Sequence, residues 1–271
     1  MVSSAFNNAA PPANDNARDP DMDLLDATEN GSIGGVRDAL ARGANIDARQ
    51  TNNDTALIIA AREGHIEVAK LLIEKGADTA LVNNQNQTAL MAALRGERSE
   101  EMNLLLIAAK TPVNTPDFRG YTAAFFAAQD NLAATMAAIA GAGGDLTIPN
   151  RDGVTPLIWA TQLPNHDDVI AEIIKHACAI DAQGPNERTA LMEAAFKKDA
   201  KLVEAFVALH ANVMLRDADG KTAKDLAADS GATEIVKKLE AAEAARYAPL
   251  TGGVAGSVAA PRTAKFKPKT L

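Results

Sequence analysis

The side chains able to do chemistry are few, and their spacing works against them. The only cysteine, Cys178, stands two residues after His176, which is the nearest the chain comes to pairing a nucleophile with a base. A thiolate nucleophile needs a base within reach and a further group to orient that base. This pair falls where a helical pattern ends, so a small buried side chain in a helix cap is the expected reading. One cysteine also excludes an intramolecular disulfide and a thiolate zinc cluster, and it suits a reducing compartment. The four histidines are scattered and leave little for a metal. The sequence contains no glycine-rich phosphate loop, no G-x-S-x-G elbow and no H-E-x-x-H helix. We therefore expect no enzyme activity, no cofactor and no metal.

What remains is recognition without reaction. The chain has 271 residues, 47% hydrophobic and 23% charged, a globular balance. No run of eighteen apolar residues occurs, and the N-terminus lacks the basic and apolar regions of a secretory leader. Neither membrane contact nor secretion by that route is expected, and the cytoplasm is the expected location. A formal charge of −8 with 4% aromatic residues argues against nucleic acid, which an acidic surface repels unless its basic residues gather in one patch.

The elements follow from a repeat. Thr55, Thr88, Thr122, Thr155, Thr189 and Thr222 recur at intervals of 33 or 34 residues, each before an apolar run whose first unpaired N–H groups a threonine hydroxyl is able to cap. Small pairs follow, Ala60–Ala61, Ala92–Ala93, Ala127–Ala128 and Ala194–Ala195, allowing close approach of neighbouring units. A second helix in each unit carries branched residues at helical spacing, as in Val68, Leu71 and Leu72 or Ile170, Ile173 and Ile174. Gly76 and Gly143 read as left-handed helix ends, and Asp152-Gly153 and Asp219-Gly220 as hairpin tips. Leu24, Ala27, Gly31 and Gly43 stand at the offsets of Leu57, Ala60, Gly64 and Gly76, which adds a seventh unit upstream without the threonine. One unit alone could not bury both apolar stripes, so the units must stack.

The segment DTALIIAAREGHIEVAKLLIEKGAD at 54–78 resembles the ankyrin repeat nearly position for position, and RDGVTPLIWAT at 151–161 looks like that family's tip, TPL and first helix. The resemblance implies an all-α solenoid of about seven β-turn, helix, loop, helix units used for protein binding. We place the repeats at 22–49, 50–82, 83–116, 117–149, 150–183, 184–216 and 217–245. Loops are expected to depart from the pattern at AAKTPVN, which contains Pro112, and at QLPNHDDV. Residues 1–21 are expected as a disordered tail and 246–271 as a flexible basic one. Residues 251–271 carry four basic residues and no acid, opposite in sign to the repeat body.

By the family's geometry the hairpin tips and the exposed ends of the first helices line one concave surface. Carried over repeat by repeat, its tips offer Asn52 and Asp54, Gln85 and Gln87, Arg119 and Tyr121, Asp152 and Val154, Asn186 and Arg188, and Asp219 and Lys221. Its helix ends offer Arg62, Arg95, Gln129, Gln162 with Leu163, and Phe196 with Lys197. Phe118, Tyr121, Leu163 and Phe196 among Arg119 and Arg188 make an aromatic and arginine cluster of the kind found in interface cores. Trp159 is expected to be core or half-buried. The resulting expectation is a monomeric adaptor or regulator binding an unidentified protein; the alternatives are an effector translocated into another cell and a regulatory subunit of a neighbouring enzyme.

Overall fold

The computed structural model describes residues 18–97, 99–176 and 179–247. Residues 1–17 and 248–271 of the expected tails lie outside these, and so does Cys178. Fourteen α-helices occur among the described residues, two to a unit: α1 (Pro20–Glu29) and α2 (Ile33–Ala41), α3 (Ala56–Arg62) and α4 (Ile66–Glu74), α5 (Ala89–Arg95) and α6 (Glu100–Ala108), α7 (Ala123–Gln129) and α8 (Ala133–Gly141), α9 (Pro156–Gln162) and α10 (Asp167–Lys175), α11 (Ala190–Phe196) and α12 (Ala200–Ala208), α13 (Ala223–Asp229) and α14 (Thr233–Tyr247). The fold is all-α. The first helix starts inside the segment expected as tail, because Asp19 caps it by accepting the Asp21 N–H at 3.0 Å and Pro20 is preset for a first turn.

Five of the six repeating threonines cap their helices, accepting the N–H three residues on. Thr122 does not: the Phe125 N–H donates instead to the Thr122 backbone carbonyl at 3.0 Å, a tighter opening turn that leaves the hydroxyl without a partner. First helices of seven residues are too short to persist alone in water. They hold because they are sandwiched: every residue of α3 from Ala56 to Ala61, and of α5 from Ala89 to Leu94, is buried. The alanine pairs lie in that sandwich. Each first helix packs on the next, from α1 to α13, and the second helices form an outer layer, so one apolar cluster runs from Leu24 to Leu239.

Left-handed backbone marks the ends of the second helices. Gly76 (φ 91°) and Gly143 (φ 83°) take it as their sequence requires, but Lys110 (φ 62°) and His210 (φ 60°) hold the same place in repeats 3 and 6, where a side chain costs roughly 1–2 kcal/mol.

Two sets of hydrogen bonds tie successive repeats together. Along the tips, the second residue of each turn donates to the third residue of the turn before: the Asn84 N–H to the Asn52 carbonyl (3.0 Å), Phe118 to Gln85 (3.2 Å), Arg151 to Arg119 (3.0 Å) and Ala218 to Asn186 (2.8 Å). Between repeats 5 and 6 the donor position is Pro185, which has no N–H. The second set lies beyond the second helices. There the Asp78, Asp145 and Asn212 N–H groups reach the side chains of Asp47, Asn114 and Asp181 at 2.7–3.0 Å. Between repeats 2 and 3 the equivalent donor is Pro112 and the equivalent acceptor Ala80, so both halves of that bond are missing together.

Candidate functional site

Each tip is a tight turn beginning at Gln50, Asn83, Asp117, Asn150, Gly184 or Asp217, whose fourth residue donates back to the first at 2.9–3.1 Å. The fourth position needs left-handed backbone, taken by Gly120, Gly153 and Gly220 and elsewhere by Asn53, Asn86 and Glu187. In four repeats the first residue is Asn or Asp, and its side-chain oxygen accepts the N–H groups two and four residues on, at 2.8–3.0 Å. In these four turns the second and third residues are exposed, and the fifth is buried (Gln87, Val154), half-buried (Tyr121) or, for Lys221, exposed.

That alternation corrects part of the expected surface. The third residues Arg119, Asp152, Asn186 and Asp219 are exposed, but Asp54, Gln87 and Val154, all fifth residues, are buried; Tyr121 and Arg188 are half-buried. Leu163, expected to be exposed, is also half-buried, as is Trp159. Of the helix ends, Arg95, Gln129, Phe196 and Lys197 are exposed while Arg62 and Gln162 are half-buried. The second tip residues Phe118, 56% exposed, and Arg151 complete the outward set. Arg151 was absent from the sequence expectation, and the signal for it is the side-chain acceptor opening the turn one residue earlier.

Between repeats 2 and 3 the face is polar. The wholly buried Asp54 carboxylate accepts from Asn52 Nδ2 (2.7 Å), Asn83 Nδ2 (2.9 Å) and the Arg62 guanidinium. Burial pulls the Arg62 pKa down, but hydrogen bonds to Asp54 and Glu63 outweigh it and hold the guanidinium above its ordinary value. These groups line a cleft of about 360 Å³ together with Arg95 and with Gln87, whose Nε2 is shielded and has no acceptor.

Farther along, the face becomes aromatic. Tyr121 packs at 4.9 Å on Phe125 and at 5.9 Å on Phe126, and Phe125 lies 6.2 Å from Trp159, centroid to centroid. The Arg95 guanidinium sits 5.5 Å above the Phe126 ring. Arg95, Arg119, Tyr121, Phe126, Gln129, Asp130 and Trp159 line a second cleft, of about 400 Å³. The Trp159 indole N–H is shielded from solvent and has no acceptor. One repeat on, Arg188 is stacked over the exposed Phe196 at 5.1 Å and is tied to Asp217 (3.5 Å) and Glu193 (3.7 Å). The Lys197 ammonium donates to the Gln162 carbonyl, and the His166 ring contacts the Gln129 carbonyl at 3.0 Å. His65 makes the same contact to the Glu29 carbonyl (3.0 Å), so that turn histidine is a tie between repeats.

Among the described residues no group of His, Cys, Asp and Glu is arranged to hold a metal ion, and no helix is long and apolar enough to cross a membrane. The model of the ankyrin repeats family, built as three copies, matches residues 24–117 and 165–246. No curated protein matches the chain. Ankyrin repeats are general protein–protein interaction modules, typically without catalysis. With tight tips, capped short helices and a 33–34-residue period under that match, the chain belongs to the ankyrin repeat family.

Proposed function

We propose that the chain is a non-catalytic adaptor or regulator that binds one partner protein through its tips and first-helix ends, as a monomer in the cytoplasm. The observation that carries this reading is the aromatic and arginine surface centred on Tyr121. Large rings and guanidinium groups are the side chains that supply most interface energy when a partner desolvates them, and Phe118 and Phe196 are left 56% and 48% exposed on the same face. The polar tips of repeats 2 and 3 would act as rim, since Arg62 and Asp54 are already engaged with each other.

Affinity capture with the full chain as bait, followed by mass spectrometry, tests the reading when run beside two variants. Tyr121→Ala and Phe196→Ala should each weaken the captured complex by about 2 kcal/mol or more, with helicity unchanged. Glu67→Ala, an exposed change on the outer helix α4, should leave it intact. Equal binding by all three would place the surface elsewhere, with the loops at 110–113 and 163–168 next in order.

A further inference from the structure

The cleft on repeats 3 to 5 is supplied with hydrogen-bond donors and short of acceptors. Arg95 and Arg119 are both exposed, and no carboxylate among the described residues is paired with either. Arg95 is held in place by the Phe126 ring beneath it, so its donors are directed without being consumed. Trp159 lines the same cleft, with its indole N–H shielded from solvent and without an acceptor. Asp130 is the only acid lining the cleft, and it has an interaction of its own. Tyr121 and Phe126 add apolar surface to the lining.

Resting on the reading of this face as the binding surface, we propose that the cleft takes an aspartate or glutamate side chain from an acidic segment of the partner protein. The carboxylate would engage Arg95 and Arg119, and the flanking apolar residue would lie on Tyr121 and Phe126. The charge of the rest of the chain sharpens this assignment. With a net charge of −8 overall, the repeat body repels such a segment except where arginines are gathered and unpaired, and the two arginine variants separate attachment there from attachment to the basic residues of 251–271. Planar guanidinium groups also suit carboxylate geometry better than ammonium groups do.

The test uses a phage-displayed library of random peptides panned on the full chain. Selected peptides are then titrated into the parent, Arg95→Gln and Arg119→Gln by fluorescence polarisation, with circular dichroism to show that both variants fold. Trp159, the only tryptophan, gives an independent signal from inside the cleft. Selected sequences should be rich in Asp and Glu, should shift the Trp159 emission, and should bind either variant roughly tenfold or more weakly, since a charge pair loses at least that when one partner is removed. Peptides without an acidic excess, or binding the variants as well as the parent, would overturn the proposal. If such peptides were still lost on Phe118→Ala or Phe196→Ala, the face would remain the binding surface; if neither change mattered, that reading would fail too. A panning that enriches nothing over an uncoated surface also overturns the proposal, because the cleft would then hold no linear acidic segment.

Discussion

The joint between repeats 3 and 4 and the joint between repeats 5 and 6 are built from the same parts and end up unequal. At the first, the Phe118 N–H reaches the Gln85 carbonyl, Asn86 Nδ2 reaches the Pro116 carbonyl at 2.6 Å, the Asp145 N–H reaches Asn114, and Asn103 meets Thr135 between the packed helices α6 and α8. At the second, Pro185 removes the tip bond, and α10 and α12 barely meet. Among the described residues, the Asn212 bond to Asp181, the exposed Lys201–Asp167 pair, the Lys197 bond to Gln162 and the packing of α9 on α11 tie it. In a stack where each unit touches only its neighbours, cooperativity breaks at the joint with the smallest coupling. The tip bond lost at Pro185 and the thin contact of α10 with α12 together make this joint the expected place for the chain to divide.

Core truncations on either side give the largest test. Leu106→Ala in α6 and Ile173→Ala in α10 each remove a fully buried side chain and should cost about 2–5 kcal/mol. The two should differ in form: urea unfolding followed by circular dichroism should stay close to one transition for Leu106→Ala and separate into two for Ile173→Ala. Identical profiles would erase the distinction between the joints.

The polar joint between repeats 2 and 3 offers the next effect. Arg62→Ala leaves the buried Asp54 with its two asparagine donors alone, and the loss should be about 1–3 kcal/mol by denaturant titration. Asp54→Ala with Arg62→Ala should cost less than the sum of the two single changes, because the second removes a group already orphaned.

Pro185→Ala addresses the weak joint itself. The restored N–H is able to reach the Asp152 carbonyl and gain about 0.5–1.5 kcal/mol, while the freer unfolded chain loses about 0.4–1 kcal/mol. Net stability should move by less than about 1 kcal/mol, yet amide exchange across 184–247 should slow toward that of repeats 3 and 4. Unchanged exchange would mean that the outer helices, not the tips, set the coupling.

A comparably small effect lies in the last repeat, where Thr222 and Asp225 cap each other. Backbone and side-chain hydrogen bonds from Thr222 hold Asp225 below the usual carboxylate range. A depressed folded value means that the contribution is complete above the unfolded aspartate value of about 3.9 and lost as the pH falls through the lower folded value. Asp225→Asn should lower stability by about 1 kcal/mol near neutral pH and flatten the acid limb of the stability curve, read by thermal melts from pH 2 to 7.

Much of this architecture was legible in the chain because the signals are local. The threonines, the glycines at 76 and 143 and the branched residues of the second helices each act within one repeat. Thr122 misled because a backbone carbonyl out-competed its hydroxyl for the same N–H. Gln87 and Val154 misled because their exposure depends on the side-chain acceptor that opens the turn, and Asp54, in a turn opened by Gln50, because Asn52, Asn83 and Arg62 draw its carboxylate in. Phe126 was passed over at a packing position, and only its neighbour Arg95, one repeat away, makes it part of a surface. The consequence of Pro185 was out of reach for a like reason: it needs the register between two tips.

The missing tie at Ala80 and Pro112 bears on how such a chain tolerates change. Ala80→Asp alone would add a carboxylate facing an imide nitrogen, and Pro112→Ala alone would add an N–H facing a methyl group, so neither change by itself supplies the bond that Asp78 and Asp47 make one repeat earlier. Only the pair does, which makes the two positions epistatic although 32 residues separate them. Cross-repeat bonds of this kind are inherited or lost as couples, and a site-by-site survey of single substitutions would score both positions as indifferent.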